Sequence, residues 1–187
     1  YVPCGNGMEA VLAGSIKVFE IPTLLAALYH LEGKELLPET PEYPLLESFS
    51  SAENSYTYTD FADARGQETA KRALEIAAAG SHNIILSGPP GSGKTLLSRA
   101  LPSILPPPNR EEIIEITKIH SIAGSASKQY GVITERPFRS PHHTASHIAL
   151  VGGGTFPRPG EITLAHRGVL FMDEFPEFDK RVLEALR

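Results

Sequence analysis

Residues 88–95 read Gly88-Pro89-Pro90-Gly91-Ser92-Gly93-Lys94-Thr95, a full match to the phosphate-loop pattern G-x-x-x-x-G-K-[ST]. A short apolar run at 83–87 precedes the loop and a helix-like apolar pattern at 96–101 follows it, so the order is strand, glycine loop, helix. The glycines let backbone N–H groups converge on a phosphate, and the new helix adds its positive dipole end. We therefore predict that residues 88–95 bind the phosphates of a nucleotide.

The side chains of this loop have separate predicted tasks. Lys94 would place its ammonium against the β- and γ-phosphates, and Thr95 would offer its hydroxyl to Mg²⁺. A glycine-rich turn that arose by chance is the alternative. The strand and helix on either side of the motif favour nucleotide binding, with ATP and Mg²⁺ as cofactors.

A second apolar run, at 169–172, ends in Asp173 and Glu174. An Asp at the carboxyl end of a strand can hold Mg²⁺, and a neighbouring Glu can polarise the water that attacks the γ-phosphate. On its own, such an acidic pair is more simply a solvated strand end. With Lys94 and Thr95 in the same chain, we predict Lys94 and Glu174 as catalytic residues, and Thr95 and Asp173 as metal ligands.

Helix signals surround these motifs. Residues 67–79 have apolar residues at helical spacing, with Gly80 as a stop signal, and Asn109 with Glu112 predicts a capped helix over 111–119. Helices that alternate with apolar strands predict a layered α/β domain with a parallel sheet.

Composition is that of a globular chain: 187 residues, 41% hydrophobic and 21% charged. Its one cysteine, Cys4, excludes an internal disulfide framework and fits a reducing compartment. No apolar run reaches the roughly 18 residues of a membrane span, so we expect a soluble, cytoplasmic protein without a membrane partner. The net charge of −5 comes from residues 1–56, whose balance is −6, whereas residues 57–187 carry +1. The global charge therefore does not exclude DNA.

Three regions are predicted along the chain. Residues 1–35 combine a strand-like segment at 15–20 with a helix-like segment at 24–31, for which Thr23 is a possible N-cap. Residues 36–56 are rich in Pro, Glu and Ser and are typical of a linker. The nucleotide-binding domain then occupies residues 57–187.

A family resemblance covers residues 57–187 nearly continuously. Residues 60–68 resemble the adenine-side segment of AAA+ ATPases. The following stretches are similar to magnesium-chelatase-like AAA+ proteins of the competence ComM/YifB type: Arg136-Pro137-Phe138-Arg139-Ser140-Pro141-His142-His143-Thr144-Ala145-Ser146, Gly152-Gly153-Gly154, residues 157–161 and residues 165–174. Residues 1–35 resemble the last part of the Lon-protease-like domain that precedes the ATPase in this family.

This resemblance implies a P-loop NTPase fold of three α/β/α layers with a parallel sheet, after the end of a Lon-like, S5-type α+β domain. It also implies that Gln67 contacts the nucleotide, and that the protein forms a homo-oligomeric ring, a hexamer, which drives DNA branch migration in recombination and natural transformation. The sensors and the arginine finger would lie beyond Arg187. We therefore expect the 187-residue chain alone to bind ATP weakly and to hydrolyse it poorly.

Two other functions share these motifs. One is the ATPase subunit of a magnesium chelatase, and the other is a nucleotide-gated assembly module without hydrolysis. The Lon-like segment argues against the first and Glu174 against the second. Peptidase chemistry is not expected, because Ser15 and Lys17 show no independent sign of a nucleophile and base.

The interval of 79 positions between Lys94 and Asp173 predicts inserted structure. Its His142, His143 and His147 are candidate metal ligands, but Pro141 and the lack of a nearby acid or cysteine favour a loop. Together with Lys128, Arg136 and Arg139, the histidines could form a pore-facing insert that touches DNA, or a solvated hairpin. The sequence leaves both interpretations open.

Overall fold

A computed structural model of the chain describes residues 1–14, 16–41, 59–125 and 132–186. The chain divides into two compact units. Unit 1 comprises Tyr1–Glu53 and Asn109–Thr134, and unit 2 comprises Asn54–Pro108 and Glu135–Arg187. No helix among the described residues is both long enough and apolar enough to cross a membrane.

In its described residues, unit 1 contains a short parallel strand pair and three helices. These elements are β1 (Val2–Pro3), α1 (Gly7–Val11), β2 (Glu20–Ile21), α2 (Leu24–Leu31) and α5 (Arg110–Ala123). Strands β1 and β2 are parallel. The predicted strand over 15–20 is therefore shorter and shifted, and its Ser15 lies outside the described residues. Thr23 caps α2 as predicted, since its side chain accepts a hydrogen bond from the N–H of Ala26 at 3.2 Å.

The predicted capping box at the start of α5 is confirmed. Asn109 Oδ1 accepts from the N–H of Glu112 at 2.9 Å, and Glu112 Oε2 accepts from the N–H of Asn109 at 3.0 Å. The helix runs four residues beyond the predicted end and stops at Gly124, which has a left-handed φ of 69°. A guanidinium nitrogen of Arg110 lies 3.5 Å from the carbonyl oxygen of Leu12, so α5 packs with the N-terminal segment.

The predicted linker over 36–56 is described only up to residue 41. Within that part, the N–H of Leu37 donates to His30 Nδ1 at 2.7 Å, and the N–H of Thr40 donates to the carbonyl of Val18 at 2.8 Å. Residues 36–41 are thus bonded into unit 1, and residues 42–56 lie outside the described part of the chain.

Unit 2 holds the remaining helices and strands. They are α3 (Glu68–Gly80), α4 (Lys94–Ala100), β3 (Phe138–Arg139), α6 (His147–Val151), β4 (Gly152–Gly153), β5 (Arg158–Pro159), α7 (Glu161–Leu164), β6 (Val169–Leu170) and α8 (Lys180–Ala185). Short 3₁₀ turns lie at Phe61–Asp63, Leu101–Ile104 and Phe175–Glu177. This mixture of helices with short parallel strands confirms the α/β class.

Helices α3 and α4 share one apolar cluster. Its buried members are Phe61, Ala64, Leu74, Leu97 and Ala100. The helix predicted over 67–79 is confirmed, but Gly80 is its last residue rather than its stop, and Ser81 takes the left-handed conformation that ends it.

The buried strand predicted at 83–87 is wrong. These residues, all described, pair with no other strand, and the side chain of Ile85 is 86% exposed. Ile84 packs on the cluster of α3 and α4, and Leu86 is half-buried, so only alternate residues face the protein. The apolar run is therefore covered on one side, as along an extended segment at a surface.

A parallel pair links the two ends of the long interval after α4. Strand β3 runs beside β6 with Phe138 opposite Val169 and Arg139 opposite Leu170. Beyond the strands, Leu150, Phe178 and Val182 form a second buried cluster, against which Met172 packs. The carboxyl ends of β3 and β6 meet at one edge, because parallel strands point the same way.

Gly168 precedes β6 at a close backbone approach, and a Cβ there would overlap the carbonyl oxygen of Pro137. That oxygen accepts the N–H of Val169, so it is part of the strand pairing. We predict that Gly168→Ala lowers the free energy of unfolding by about 1–3 kcal/mol, as overpacking against a fixed neighbour does. Urea unfolding followed by circular dichroism measures it.

Gly80→Ala is the matched control. A Cβ at Gly80 meets only the ring of His82, a side chain that can move, and Ala is favoured over Gly in a helix by about 1 kcal/mol. The control variant should be at least as stable as the parent. If Gly168→Ala is as stable as Gly80→Ala, the backbone at Pro137 moves aside without a loss of stability, and the prediction is contradicted.

Candidate functional site

The phosphate loop has the backbone that its glycines predict. Gly91 and Gly93 have φ values of 76° and 85°, in the left-handed region that side chains disfavour. Gly93 is the N-cap of α4, so helix geometry begins at Lys94 and Thr95 immediately after it. The turn and the start of α4 are therefore both set by residues within the motif.

Lys94 folds back over its own loop. Its ammonium donates to the carbonyl oxygens of Gly88 at 2.8 Å and Pro89 at 2.9 Å. These neutral acceptors hold the cation at the loop without neutralising it. The charge is thus held over the loop, where a phosphate oxyanion could replace the carbonyls as acceptor.

Gln67 ties α3 to the loop. Its side-chain amide donates to the carbonyl of Ser92 at 3.2 Å, and its own φ of 58° is left-handed. Beside this contact is a cavity of about 240 Å³, lined by Ala64, Arg65, Gln67, Gly91, Ser92, Gly93, Leu96 and Leu97. Gln67, predicted from the resemblance, lies in this lining. Four lining residues were not predicted as site residues: Ala64, Arg65, Leu96 and Leu97. Ala64 and Arg65 belong to the segment that resembles AAA+ ATPases.

The acidic pair after β6 reaches the loop. Thr95 Oγ1 donates to Asp173 Oδ2 at 3.3 Å, across 78 positions of sequence. The other oxygen of Asp173 accepts the N–H of Glu174 at 3.0 Å. Glu174 itself has a φ of 54°, an uncommon conformation for a residue with a side chain. The structure thus brings together the two predicted metal ligands, with the predicted base next to one of them.

The oxygen atoms at this junction suit magnesium. A hydroxyl and a carboxylate are hard ligands, and Mg²⁺ takes one or two such protein oxygens together with water and phosphate oxygens. Asp173 is exposed and Thr95 is half-buried, so neither residue is sealed from the solvent. The residues present therefore fit the predicted ion.

Sequence reasoning missed one neighbour of this pair. His143 Nδ1 lies 3.1 Å from Glu174 Oε2. Pro141 correctly indicated a loop, and the structure has turns there rather than a helix at His142 and His143. No local sequence pattern signals this contact; the structure shows that each residue lies four positions beyond a paired residue of β3 or β6.

The metal cluster considered for the histidines is not found. Among the described residues, no group of three or more His, Cys, Asp or Glu side chains could hold a metal ion. His142 Nδ1 contacts Thr144 Oγ1 at 2.8 Å instead, and His147 is the first residue of α6.

The cations considered for a pore insert are held within unit 2. Arg139 forms a two-point ion pair with Glu161, at 2.5 and 2.7 Å. Arg136 donates to the carbonyls of Pro106 and Arg167. Lys128 lies outside the described residues. Arg136 and Arg139 therefore make contacts that stabilise the fold of the insert, and the DNA contact considered for them stays a prediction.

Residues 60–187 match the family model described as magnesium chelatase, subunit ChlI. The chain belongs to this magnesium chelatase family. The match begins at the 3₁₀ turn beside the cavity and includes both the phosphate loop and the acidic pair.

Individual relatives of this magnesium chelatase family member match nearly the whole length of the chain. It is 47% identical to the uncharacterized protein YifB of Salmonella typhimurium, over 97% of the chain and 34% of that protein. It is 46% identical to the competence protein ComM of Haemophilus influenzae, over 97% of the chain and 35% of that protein. It is 49% identical to YifB of Escherichia coli, over 88% of the chain and 31% of that protein. The resemblance to the ComM/YifB type is confirmed, and the chain spans about a third of these relatives.

The hydroxyl of Thr95 can be tested by a pair of substitutions. We predict that Thr95→Val lowers the affinity for ATP about tenfold in the presence of Mg²⁺, because the hydroxyl oxygen that binds the metal is lost. The affinity in EDTA should not change. Thr95→Ser keeps the hydroxyl and should bind like the parent. Isothermal titration with and without Mg²⁺ measures all three, and an equal loss in both buffers would contradict a metal-ligand role.

Proposed function

We propose that the protein is a Mg²⁺-dependent ATPase of the AAA+ type, with the three-layer fold that the resemblance implies. The contact between Thr95 and Asp173 at 3.3 Å is the observation that carries this proposal. It places a carboxylate beside the phosphate loop although the two are far apart in sequence. A phosphate loop alone would support binding, whereas the acidic pair adds the groups that hydrolysis needs.

Each side chain has one task in this proposal. The loop N–H groups and Lys94 bind the phosphates, and the cavity beside Gln67 and Arg65 takes the nucleoside end. Thr95 and Asp173 would hold Mg²⁺, which when bound neutralises charge on the phosphate oxygens. Glu174 accepts the proton of the attacking water at its carboxylate and orients that water for in-line attack.

The relatives favour a ComM-type protein over a chelatase subunit. The family model begins at residue 60, whereas the match to ComM covers 97% of the chain and so includes most of the first 59 residues. We therefore propose that, in the full-length protein, copies of this chain form a cytoplasmic ring, a hexamer, that remodels DNA. The name of the ComM relative, a competence protein, supports this choice. A non-hydrolysing assembly module is the alternative, and loss of hydrolysis in Glu174→Gln would exclude it.

The insert offers one place for a DNA contact. Strands β4 and β5 form an antiparallel hairpin, and Phe156 in its turn is 84% exposed. Arg158 follows on β5, is exposed, and has no ion-pair partner among the residues that the structure describes. An exposed cation beside an exposed aromatic ring is a combination that binds a nucleic-acid backbone and stacks on its bases.

Glu174→Gln tests the proposed hydrolysis. We expect at least about a hundredfold loss of ATP turnover in the full-length protein, because the amide cannot accept the proton from water. Binding of ATP should be retained. Glu177→Gln is the matched control, since Glu177 is exposed in the neighbouring 3₁₀ turn and lies outside the site. Phosphate release assays decide the matter, and a Glu174→Gln protein that still hydrolyses ATP would refute the proposed function.

Arg158→Ala tests the DNA contact. We expect weaker binding of single-stranded DNA by the full-length protein and a salt slope that is smaller by about one. Arg181→Ala, an exposed arginine on α8, is the control and should bind like the parent. Fluorescence anisotropy over a series of salt concentrations measures the slope. An unchanged slope in Arg158→Ala would place any DNA contact away from the hairpin.

A further inference from the structure

Gln67 has an unusual place at the start of α3. It is the N-cap of this helix, but its side chain makes no capping hydrogen bond. The residues that favour an N-cap are Ser, Thr, Asp and Asn, whose short side chains reach the first free N–H groups. The φ of Gln67 is 58°, a left-handed value that Gly or Asn adopts more readily than Gln. Neither the cap nor the turn therefore explains a glutamine at this position.

The amide of Gln67 is bonded to the phosphate loop instead. Its nitrogen donates to the carbonyl oxygen of Ser92 at 3.2 Å, across 25 positions of sequence. An Asn side chain is shorter by one methylene and Gly has no side chain, so the length of glutamine is what lets the amide reach the loop. The contact thus uses the property that distinguishes Gln67 from the residues that would suit the cap or the turn.

The helix that carries Gln67 is anchored in unit 2. Leu74 of α3 is 1% exposed and belongs to the same buried cluster as Leu97 of α4. In the turn before α3, the N–H of Phe61 donates to Ser103 Oγ at 3.0 Å, and Ser103 lies in the 3₁₀ turn after α4. The start of α3 therefore gives the phosphate loop a fixed point of attachment outside its own residues.

The carbonyl that Gln67 holds belongs to the peptide bond between Ser92 and Gly93. This bond is trans, so its C=O and its N–H point to opposite sides. Holding the carbonyl toward Gln67 therefore turns the N–H of Gly93 away from it. The N–H of Ser92 donates to the carbonyl of Pro89 at 3.3 Å, whereas no acceptor among the described residues bonds the N–H of Gly93. The N–H of Gly93 is thus left for an oxygen of the phosphate.

We propose that Gln67 is a positioning residue of the phosphate loop: its amide fixes the peptide between Ser92 and Gly93 so that the N–H of Gly93 donates to a phosphate oxygen. This inference rests on the proposed ATPase function, because it requires that residues 88–95 bind the phosphates. Gln67 then acts on the phosphates through the loop, although it also lines the cavity. Gln67 is exposed, and a hydrogen bond that exchanges with water adds little to folding stability.

Two substitutions of Gln67 in the full-length protein remove the contact in different ways. Gln67→Met keeps the length of the side chain but has no donor. Gln67→Asn has an amide that is too short, on a residue that suits the left-handed backbone. We expect both to lower the affinity for ATP and for inorganic tripolyphosphate by the same factor, about fivefold, because one hydrogen bond that holds the loop is lost. The ratio of the two affinities reports the contribution of the nucleoside and should not change.

Displacement of a fluorescent ATP analogue by each ligand, in the presence of Mg²⁺, measures these affinities. Thr69→Met is the matched control, because Thr69 is exposed on the first turn of α3 and lies outside the cavity lining. It should bind both ligands like the parent. Lys94→Ala removes the cation of the loop and should lose most of the affinity for both ligands. Thermal unfolding of every variant shows whether the fold is kept.

The outcomes separate this inference from the proposed function. If Lys94→Ala binds both ligands like the parent, the phosphates lie elsewhere and the proposed function fails. If Lys94→Ala loses affinity but Gln67→Met binds both ligands like the parent, only the positioning role fails. A loss for ATP without a loss for tripolyphosphate in Gln67→Met would also overturn it, because Gln67 would then contact the nucleoside. Parental binding by Gln67→Asn would overturn it too, since the amide would not need to reach Ser92.

Discussion

The parallel pairing of β3 with β6 is the constraint on which the candidate site depends. Two backbone hydrogen bonds of 2.8 Å hold it, from the N–H of Val169 to the carbonyl of Pro137 and from the N–H of Phe171 to that of Arg139. The pairing sets where β6 ends, and therefore where Asp173 and Glu174 stand. A slip by one residue would turn every side chain to the other face of the strand. The close approach at Gly168 belongs to the same contact.

The turn of the phosphate loop is set mainly by its own residues. Its turn comes from left-handed glycines, its helix starts at Gly93, and the ammonium of Lys94 bonds to carbonyls of the same loop. The loop and the acidic pair lie on separate apolar clusters of unit 2, one around Leu74 and Leu97 and the other around Phe178. The bond from Thr95 to Asp173 connects them, so it reports whether the strand pairing has placed the acidic pair correctly.

This division explains what could be predicted from the sequence. The loop, the capping box at Asn109 and Glu112, and the helix after Gln67 are local patterns, and all three are present in the structure. The strand predicted at 83–87 failed because an apolar run does not reveal whether a neighbour covers both of its faces, and Ile85 lacks one.

The remaining misses are long-range contacts. His143 contacts Glu174 across 31 positions and Arg139 contacts Glu161 across 22, and neither contact was predicted from the sequence. The packing of Arg110 near Leu12 joins segments 98 positions apart, which no local pattern encodes. The domain bounds predicted at residues 35 and 56 stay predictions.

We propose that Thr95 and Asp173 form a divalent-metal site beside a bound nucleotide. Crystals of the full-length protein with a non-hydrolysable ATP analogue and Mn²⁺ in place of Mg²⁺ test it directly, because anomalous scattering locates the ion. We expect an anomalous peak about 2.1 Å from Thr95 Oγ1, with Asp173 bound to the ion directly or through a water. A peak elsewhere, or a nucleotide bound away from residues 88–95, would contradict it.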